Sequence, residues 1–156
     1  MSDLPKRVLI AEEGPREGFQ SEKKAIPVPD KVRLIEALAD TGLRHIACVS
    51  YVNPRRVPTM ADAEQVAAAI RQKPGIQYAA LWLNQQGLER ALAGPLHVDG
   101  GVRVTASDTF SRKNIGKSVP DALIEQRQSL KTFKDRGMPV EWGTILGAFG
   151  CNYEGE

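Results

Sequence analysis

Short apolar runs rich in β-branched residues alternate with helix-like segments along the whole of this chain, and no other feature constrains its fold as strongly. Residues 8–11 (VLIA), 45–52 (HIACVSYV), 76–83 (IQYAALWL), 102–106 (VRVTA) and 140–146 (VEWGTIL) have the length and composition of strands. Between them, residues 30–41 place Val32, Ile35, Leu38 and Ala39 on one helical face, and residues 61–72 are rich in Ala. Residues 84–93 open on Asn84, a capping residue, and residues 118–136 open with Ser118 and Asp121 at capping-box spacing and Pro120 in the first turn. Asp30 is expected to cap the first of these helices, and Gly42, Pro74-Gly75, Gly94-Pro95 and Gly137 stand where the helices should stop. Repeated βα units of this kind build a parallel sheet with right-handed crossovers.

The connections are unequal. Those entering the second, third and fifth strands (TGLR, KPG, RGMP) are short, whereas residues 12–29, the stretch NPRRVPTM, residues 107–117 and GAFGCNYEGE carry most of the Arg, Asn, Ser and Glu outside helices. Residues 12–29 and 107–117 read as long loops. In parallel α/β folds the side on which strands end is the functional one. Two architectures fit. A flavodoxin-like open sheet needs five strands, and periodicity by itself leans towards it, although that fold places a helix after the fifth strand where this chain ends. A (β/α)8 barrel needs about 250 residues, so this chain would supply its first five strands.

With 156 residues, of which 42% are hydrophobic and 26% charged, one core is within reach, and a single α/β domain over residues 1–156 is expected. Lys and Arg number 21 against 19 Asp and Glu, for a net charge of +2 without a basic block, so nucleic acid is not an expected partner. No apolar run approaches the roughly 20 residues of a membrane span, and the first residues, MSDLPKRVLIAEEG, lack the apolar stretch of a signal peptide. A cytoplasmic protein without a membrane partner is the expectation. The two cysteines, Cys48 and Cys151, form no CxxC, which excludes a disulfide framework and a zinc module as organising devices.

The segment EEGPREGFQSEK gathers Glu12, Glu13, Arg16, Glu17, Gln20 and Glu22 directly after a strand. Such a set suits a hard divalent cation and an oxyanionic substrate alike, and a solvated polar loop accounts for it equally well. It contains neither GxGxxG nor GxxxxGK, so a dinucleotide or P-loop site is not supported. His45 and His97 read as hydrogen-bonding surface or strand-end residues, Cys48 as a small core residue and Cys151 as an inert loop thiol. Trp82 and Trp142 read as core packing.

GPREGFQ, with EKK shortly after it, resembles the signature of the 3-hydroxy-3-methylglutaryl-CoA lyase family, whose usual form is GPRDGLQ. SYVNPRRVPTM, SRKNIGKS and GCNYEGE resemble that family's segments after strands two, four and five, in the same order. The resemblance implies the N-terminal five strands of a TIM barrel. It also implies a carbon-carbon lyase that cleaves 3-hydroxy-3-methylglutaryl-CoA, or a related 3-hydroxyacyl-CoA, to acetyl-CoA and a keto acid by metal-assisted retro-Claisen chemistry. Arg16 stands at the family's charge-stabilising arginine, and Glu17 at its metal-ligating aspartate, the cation being Mg²⁺ or Mn²⁺. Gln20, Tyr51, Asn53, Arg55, Lys113 and Asn114 become contacts for the carboxyl, pantetheine or phosphate groups of an acyl-CoA, a solvated loop being an equal reading.

Three differences accompany the resemblance. Glu17 is one methylene longer than the family's aspartate. Ala47 stands where the lyases carry an active-site glutamate. The family's paired histidines, catalytic cysteine and metal-ligating asparagine belong to later strands. The 156-residue chain by itself is therefore expected to lack lyase activity and not to retain the metal. The alternative function is a noncatalytic or altered relative that binds an acyl-CoA or organic acid, with a homo-oligomer as a candidate assembly. A complete flavodoxin-like binding module is a third reading.

Overall fold

Five parallel strands are present in the computed structural model, which describes residues 4–155, and they are hydrogen-bonded as a three-stranded and a two-stranded sheet. Contacts divide the chain into two units, Met1–Trp82 with Arg90–Val98, and Leu83–Glu89 with Asp99–Glu156.

In the first unit β1 (Ala11–Glu12), β2 (His45–Tyr51) and β3 (Gln77–Trp82) lie in that order. The strand expected at residues 8–11 is displaced, with pairing confined to Ala11 opposite His45 and Glu12 opposite Ile46. The reason is register: β2 itself begins at His45, so none of it reaches Val8, Leu9 and Ile10, which are exposed.

The expected loop at residues 12–29 is largely helical, with α1 at Gly14–Ser21 and α2 at Val28–Ala39. Gly14 and Gly18 conceal α1 from propensity, yet Pro15 presets a helical φ near its start, and Pro15 and Phe19 are buried one turn apart. Asp30 is not the cap of α2. That position falls to Pro27, and Asp30 sits in the first turn, its N–H donating to the Pro27 carbonyl at 3.0 Å, where its carboxylate still favours the helix dipole. Gly42, at φ +92°, takes the left-handed conformation after the helix. A 3-10 turn, Pro58–Met60, precedes α3 (Ala63–Ala69), which stops short of Gln72 because Ile70 turns extended.

Phe19, Ile35, Ile46, Cys48, Val49, Tyr51, Val66 and Tyr78 belong to the one hydrophobic cluster that joins helices to sheet. Ala47 pairs with Ala79, but the next pair is Val49 with Ala80, which makes Cys48 the extra residue of a β-bulge. Beyond it the alternation changes phase. Ile46, Cys48, Val49 and Tyr51 all join the core cluster, whereas Ala47 and Ser50 do not. His97 extends the sheet past β3 through a parallel bridge to Ala79, its N–H donating to Tyr78 O at 2.8 Å and its carbonyl accepting from Ala80 N at 3.0 Å.

In the second unit β4 (Gly101–Thr105) pairs with β5 (Trp142–Leu146), Gly101 lying opposite Trp142. A Cβ on Gly101 would come within 2.2 Å of the Trp142 ring, so only glycine lets the indole lie there. The ring is not core packing, as its sequence position suggested; it is half-buried, with the Arg103 guanidinium 4.1 Å from its centroid. α4 (Gln85–Leu92) starts in this unit with Asn84 Oδ1 accepting from Gly87 N at 2.8 Å.

The expected loop at residues 107–117 contains α5 (Asp108–Ile115), whose signals are local. Ser107 Oγ accepts from Phe110 N at 3.0 Å, and Gly116 ends the helix at φ +77°. α6 (Val119–Asp135) starts at Ser118, whose hydroxyl accepts from Asp121 N at 3.2 Å, and closes where Met138 N donates to Phe133 O at 2.8 Å past Gly137.

Candidate functional site

Because β1 and β2 are parallel, the segments that leave them emerge at the same end of the first sheet, and α1 presents its charged residues there. Arg16 Nε and Nη2 both donate to Glu13 Oε2, at 2.7 and 2.6 Å, and Nη2 lies 2.8 Å from Glu17 Oε1. The guanidinium is 15% exposed while the two carboxylates are about half exposed, at 47% and 55%. Two anions thus brace a mostly buried cation and set the plane of its fork. Glu12 takes no part in this, since its Oε1 accepts from Gly14 N at 2.5 Å.

Gln20, half-buried at the end of α1, accepts at its carbonyl from Thr59 Oγ1 at 3.4 Å, and this ties α1 to the segment after β2. Within that segment Asn53 Oδ1 accepts from Arg55 N at 2.9 Å, an Asx turn that holds both residues on the exposed surface. Tyr51 corrects the sequence reading: it is no loop contact but a core residue, 1% exposed. The bulge at Cys48 turns it to the helix side, where the Arg90 guanidinium lies 5.4 Å from its ring and burial pushes its phenol pKa up. Cys48 is likewise interior, donating to Ile46 O at 3.3 Å, with its thiol pushed up to about 12 by burial.

The second unit holds Lys113 and Asn114, both exposed on α5, with Lys113 Nζ 4.2 Å from the Tyr153 ring centroid. A cavity of about 650 Å³ in the same unit is lined by Ser107, Gly147, Phe149, Gly150, Cys151 and Glu154 among others. Glu154 Oε1 accepts from Thr109 N at 2.8 Å and so satisfies a donor of the first turn of α5. The Ser107 hydroxyl, followed by the backbone of Tyr153, lowers the Cys151 thiol below its ordinary value.

The first unit therefore holds Arg16 paired with Glu17, Gln20 tied to Thr59, and Asn53 paired with Arg55, and the second holds Lys113 and Asn114. Sequence reasoning missed the part of Glu13 as a brace, although its position three residues before Arg16 was a usable signal. It also gave no sign of the bulge at Cys48, which depends on pairing with β3.

A divalent cation needs several converging oxygen or nitrogen donors. Among the described residues no group of three or more His, Cys, Asp or Glu could hold one. The acidic side chains of the first segment are turned to Gly14 and Arg16 instead. This donor set does not fit a metal ion.

The HMGL-like family model matches residues 7–153. The chain belongs to the HMGL-like family. It is 41% identical over 154 residues to a 3-hydroxy-3-isohexenylglutaryl-CoA/hydroxy-methylglutaryl-CoA lyase of Pseudomonas aeruginosa, covering 99% of this chain and 51% of that one. It is 38% identical over 152 residues to the mitochondrial hydroxymethylglutaryl-CoA lyase of Gallus gallus, covering 97% and 50%. A cytoplasmic 3-hydroxy-3-methylglutaryl-CoA lyase of Danio rerio is 40% identical over 153 residues, covering 98% and 45%. The chain spans about half the length of the curated relatives it matches.

The crystal structure of the Pseudomonas aeruginosa lyase superimposes with a TM-score of 0.84 over 99% of this chain and 51% of its own. An Acinetobacter baumannii lyase in complex with coenzyme A and 3-methylmalate does so at 0.83 and 25% identity, over 100% and 50%. The parallel βα units are thus those of the lyases' TIM barrel, which decides against the flavodoxin-like sheet. Relatives named mitochondrial and cytoplasmic both occur, and no helix among the described residues is long and apolar enough to cross a membrane.

Proposed function

We propose that this chain supplies the charge-stabilising, acyl-CoA-binding part of a carbon-carbon lyase acting on 3-hydroxy-3-methylglutaryl-CoA or a related 3-hydroxyacyl-CoA. The observation that carries the reading is the braced guanidinium of Arg16 at the strand end of β1, within the segment GPREGFQ.

In retro-Claisen cleavage the substrate hydroxyl loses its proton to a base and its oxygen becomes the ketone of the keto acid. The bond between the carbinol carbon and the thioester α-carbon breaks, and its electron pair passes into the thioester enolate, which takes up a proton to give acetyl-CoA. Negative charge appears on oxygen throughout, and a preorganised guanidinium stabilises it without reorganising. Glu13 and Glu17 fix the orientation of Arg16 before substrate arrives, which is where positioned electrostatics gain their effect. Asn53 and Arg55 offer an amide and a second guanidinium to the carboxyl or phosphate groups of a thioester; in the second unit, taken by itself, Lys113 and Asn114 offer an ammonium and an amide to groups of that kind. By the family resemblance Glu17 is the candidate carboxylate for a Mg²⁺ or Mn²⁺ ion, but its Oε1 lies 2.8 Å from Arg16 Nη2 and the donors among the described residues do not complete such a site. Two free cysteines suit a cytoplasmic compartment.

One observation favours a second reading, in which the chain binds an acyl-CoA or organic acid without cleaving it. The inner face of β2 presents the methyl of Ala47, which transfers no proton. Incubating the purified protein with 3-hydroxy-3-methylglutaryl-CoA and Mg²⁺ or Mn²⁺ tests the shared site. Thioester binding that is lost in Arg16→Ala supports both readings. Release of acetyl-CoA, abolished by the same substitution, selects the lyase, whereas binding without release agrees with both readings, since this chain by itself is expected to lack activity. Binding untouched by Arg16→Ala overturns the site.

A further inference from the structure

Glu13 begins α1, its carbonyl accepting from Glu17 N at 2.9 Å, yet its side chain makes no capping hydrogen bond. The local sequence explains this. A capping carboxylate serves the free N–H groups of the first turn, but Pro15 has none to offer, and Gly14 N already donates to Glu12 Oε1 at 2.5 Å. The Glu13 carboxylate is thereby released to Arg16, three residues on. One of its oxygens, Oε2, accepts from both Nε and Nη2, at 2.7 and 2.6 Å.

A guanidinium grips a carboxylate best through two parallel N–H···O bonds, and it has two edges for doing so, Nε with Nη2 and Nη1 with Nη2. Glu13 closes the first edge of Arg16. Glu17 Oε1, 2.8 Å from Nη2, crowds the second. Nη1 takes part in neither contact, and it is not one of the buried polar atoms left unpaired among the described residues. The partly open Arg16 side chain therefore has one nitrogen free for an incoming oxygen.

We propose that Glu13 is a positioning residue that sets the specificity of this site. By holding the Nε and Nη2 edge of Arg16 it leaves Nη1 to donate to a single oxygen, that of the thioester, and denies a carboxylate the two-point grip it would otherwise take. An arginine with an open fork binds free organic acids strongly, so an acid lacking the thioester would compete for it. A fork already closed by Glu13 rejects that competitor while one N–H donor stays available. This inference deepens the proposed function and rests on it.

The test measures by calorimetry the binding of acetyl-CoA and of 3-hydroxy-3-methylglutarate to the purified protein and to Glu13→Ala, Glu22→Gln, Arg16→Ala and Glu13→Ala/Arg16→Ala. If the inference holds, Glu13→Ala improves the free acid relative to acetyl-CoA by at least fivefold, and the double variant loses that change. Glu22→Gln removes the same charge from the exposed residue that ends α1, and it should move both ligands together. A relative change below fivefold in Glu13→Ala, a matching change in Glu22→Gln, or one that persists without Arg16 overturns the inference. Each of these leaves the proposed function standing so long as Arg16→Ala still weakens acetyl-CoA. Acetyl-CoA bound equally by the parent and Arg16→Ala, or not bound at millimolar concentration, overturns both. Should Glu13→Ala not fold, the Arg16 side-chain NMR resonances of the parent decide. An Nε–H resonance that keeps its position on saturation with acetyl-CoA while an Nη resonance shifts supports the single-nitrogen contact, and any other pattern refutes it.

Discussion

The Lys31 ammonium, 2% exposed, lies 2.7 Å from Asp62 Oδ1 and 2.9 Å from Oδ2, and it also donates to the Thr59 carbonyl at 2.6 Å. One lysine of α2 therefore fastens the segment that follows β2, and Thr59 in turn holds the end of α1 through Gln20. The segments that leave β1 and β2 are thereby linked to one lysine.

Removing that ammonium should be costly. Lys31→Met leaves Asp62 and the Thr59 carbonyl without their charged partner, and breaking a buried pair in this way typically costs about 3 kcal/mol. Urea unfolding of the variant should show a midpoint lowered accordingly. The double variant Lys31→Met/Asp62→Leu should recover a substantial part of the loss, and a fully additive double variant would contradict the coupling.

Gly94 and Tyr51 make a second close approach. A Cβ on Gly94 would lie 2.8 Å from the Tyr51 hydroxyl, which is buried and has no hydrogen-bond partner among the described residues. Gly94→Ala is expected to destabilise by about 1–3 kcal/mol through overpacking, whereas Tyr51→Phe should be neutral or mildly stabilising. The pair of substitutions should then cost clearly less than Gly94→Ala alone, as measured by the thermal midpoints of the four proteins.

Glu36 predicts an acid limb. Side-chain and backbone hydrogen bonds from Arg71 lower its carboxyl pKa from 4.5 to about 2. A depressed folded-state value means that the stabilising contribution is complete above the unfolded value and is lost as pH falls from about 4.5 towards 2. NMR titration should find the Glu36 midpoint near the lower limit. In Arg71→Ala the midpoint should return towards 4.5 and the pH dependence of stability across that window should flatten.

The two thiols should differ sharply in reactivity. Cys151 is partly exposed and its pKa is lowered, first by the Ser107 hydroxyl, while Cys48 is wholly buried with its thiol pushed up to about 12. A disulfide reagent at neutral pH should label one thiol per native molecule and the second only after denaturation. Ser107→Ala should slow the first reaction, and an unchanged rate would show that the hydroxyl does not support the thiolate.

Much of the architecture was legible in the residues. Ser118, Gly137, Asn84 and Gly42 stand at helix ends because their preferences act through hydrogen bonds and dihedral angles within a few residues. α5 could have been read as well, since Ser107 and Gly116 bracket it with the same signals. α1 could not be read from propensity, because its two glycines oppose a helix that packing of Pro15 and Phe19 maintains.

The sequence by itself determined the order of parallel βα units, the helix stops and the segment GPREGFQ after the first strand, all of which rest on local chemistry or on hydrophobic periodicity. Only the tertiary structure decided which face each residue of β2 presents. HIACVSY is a nearly continuous apolar run, and nothing in it marks Cys48 as a bulge; that depends on hydrogen bonding to β3, some thirty residues away. A shift of one residue exchanges the two faces of a strand. It therefore sends Tyr51 to the core and Ser50 to the face of Ala47 and His97, a choice made by partners that no local window contains.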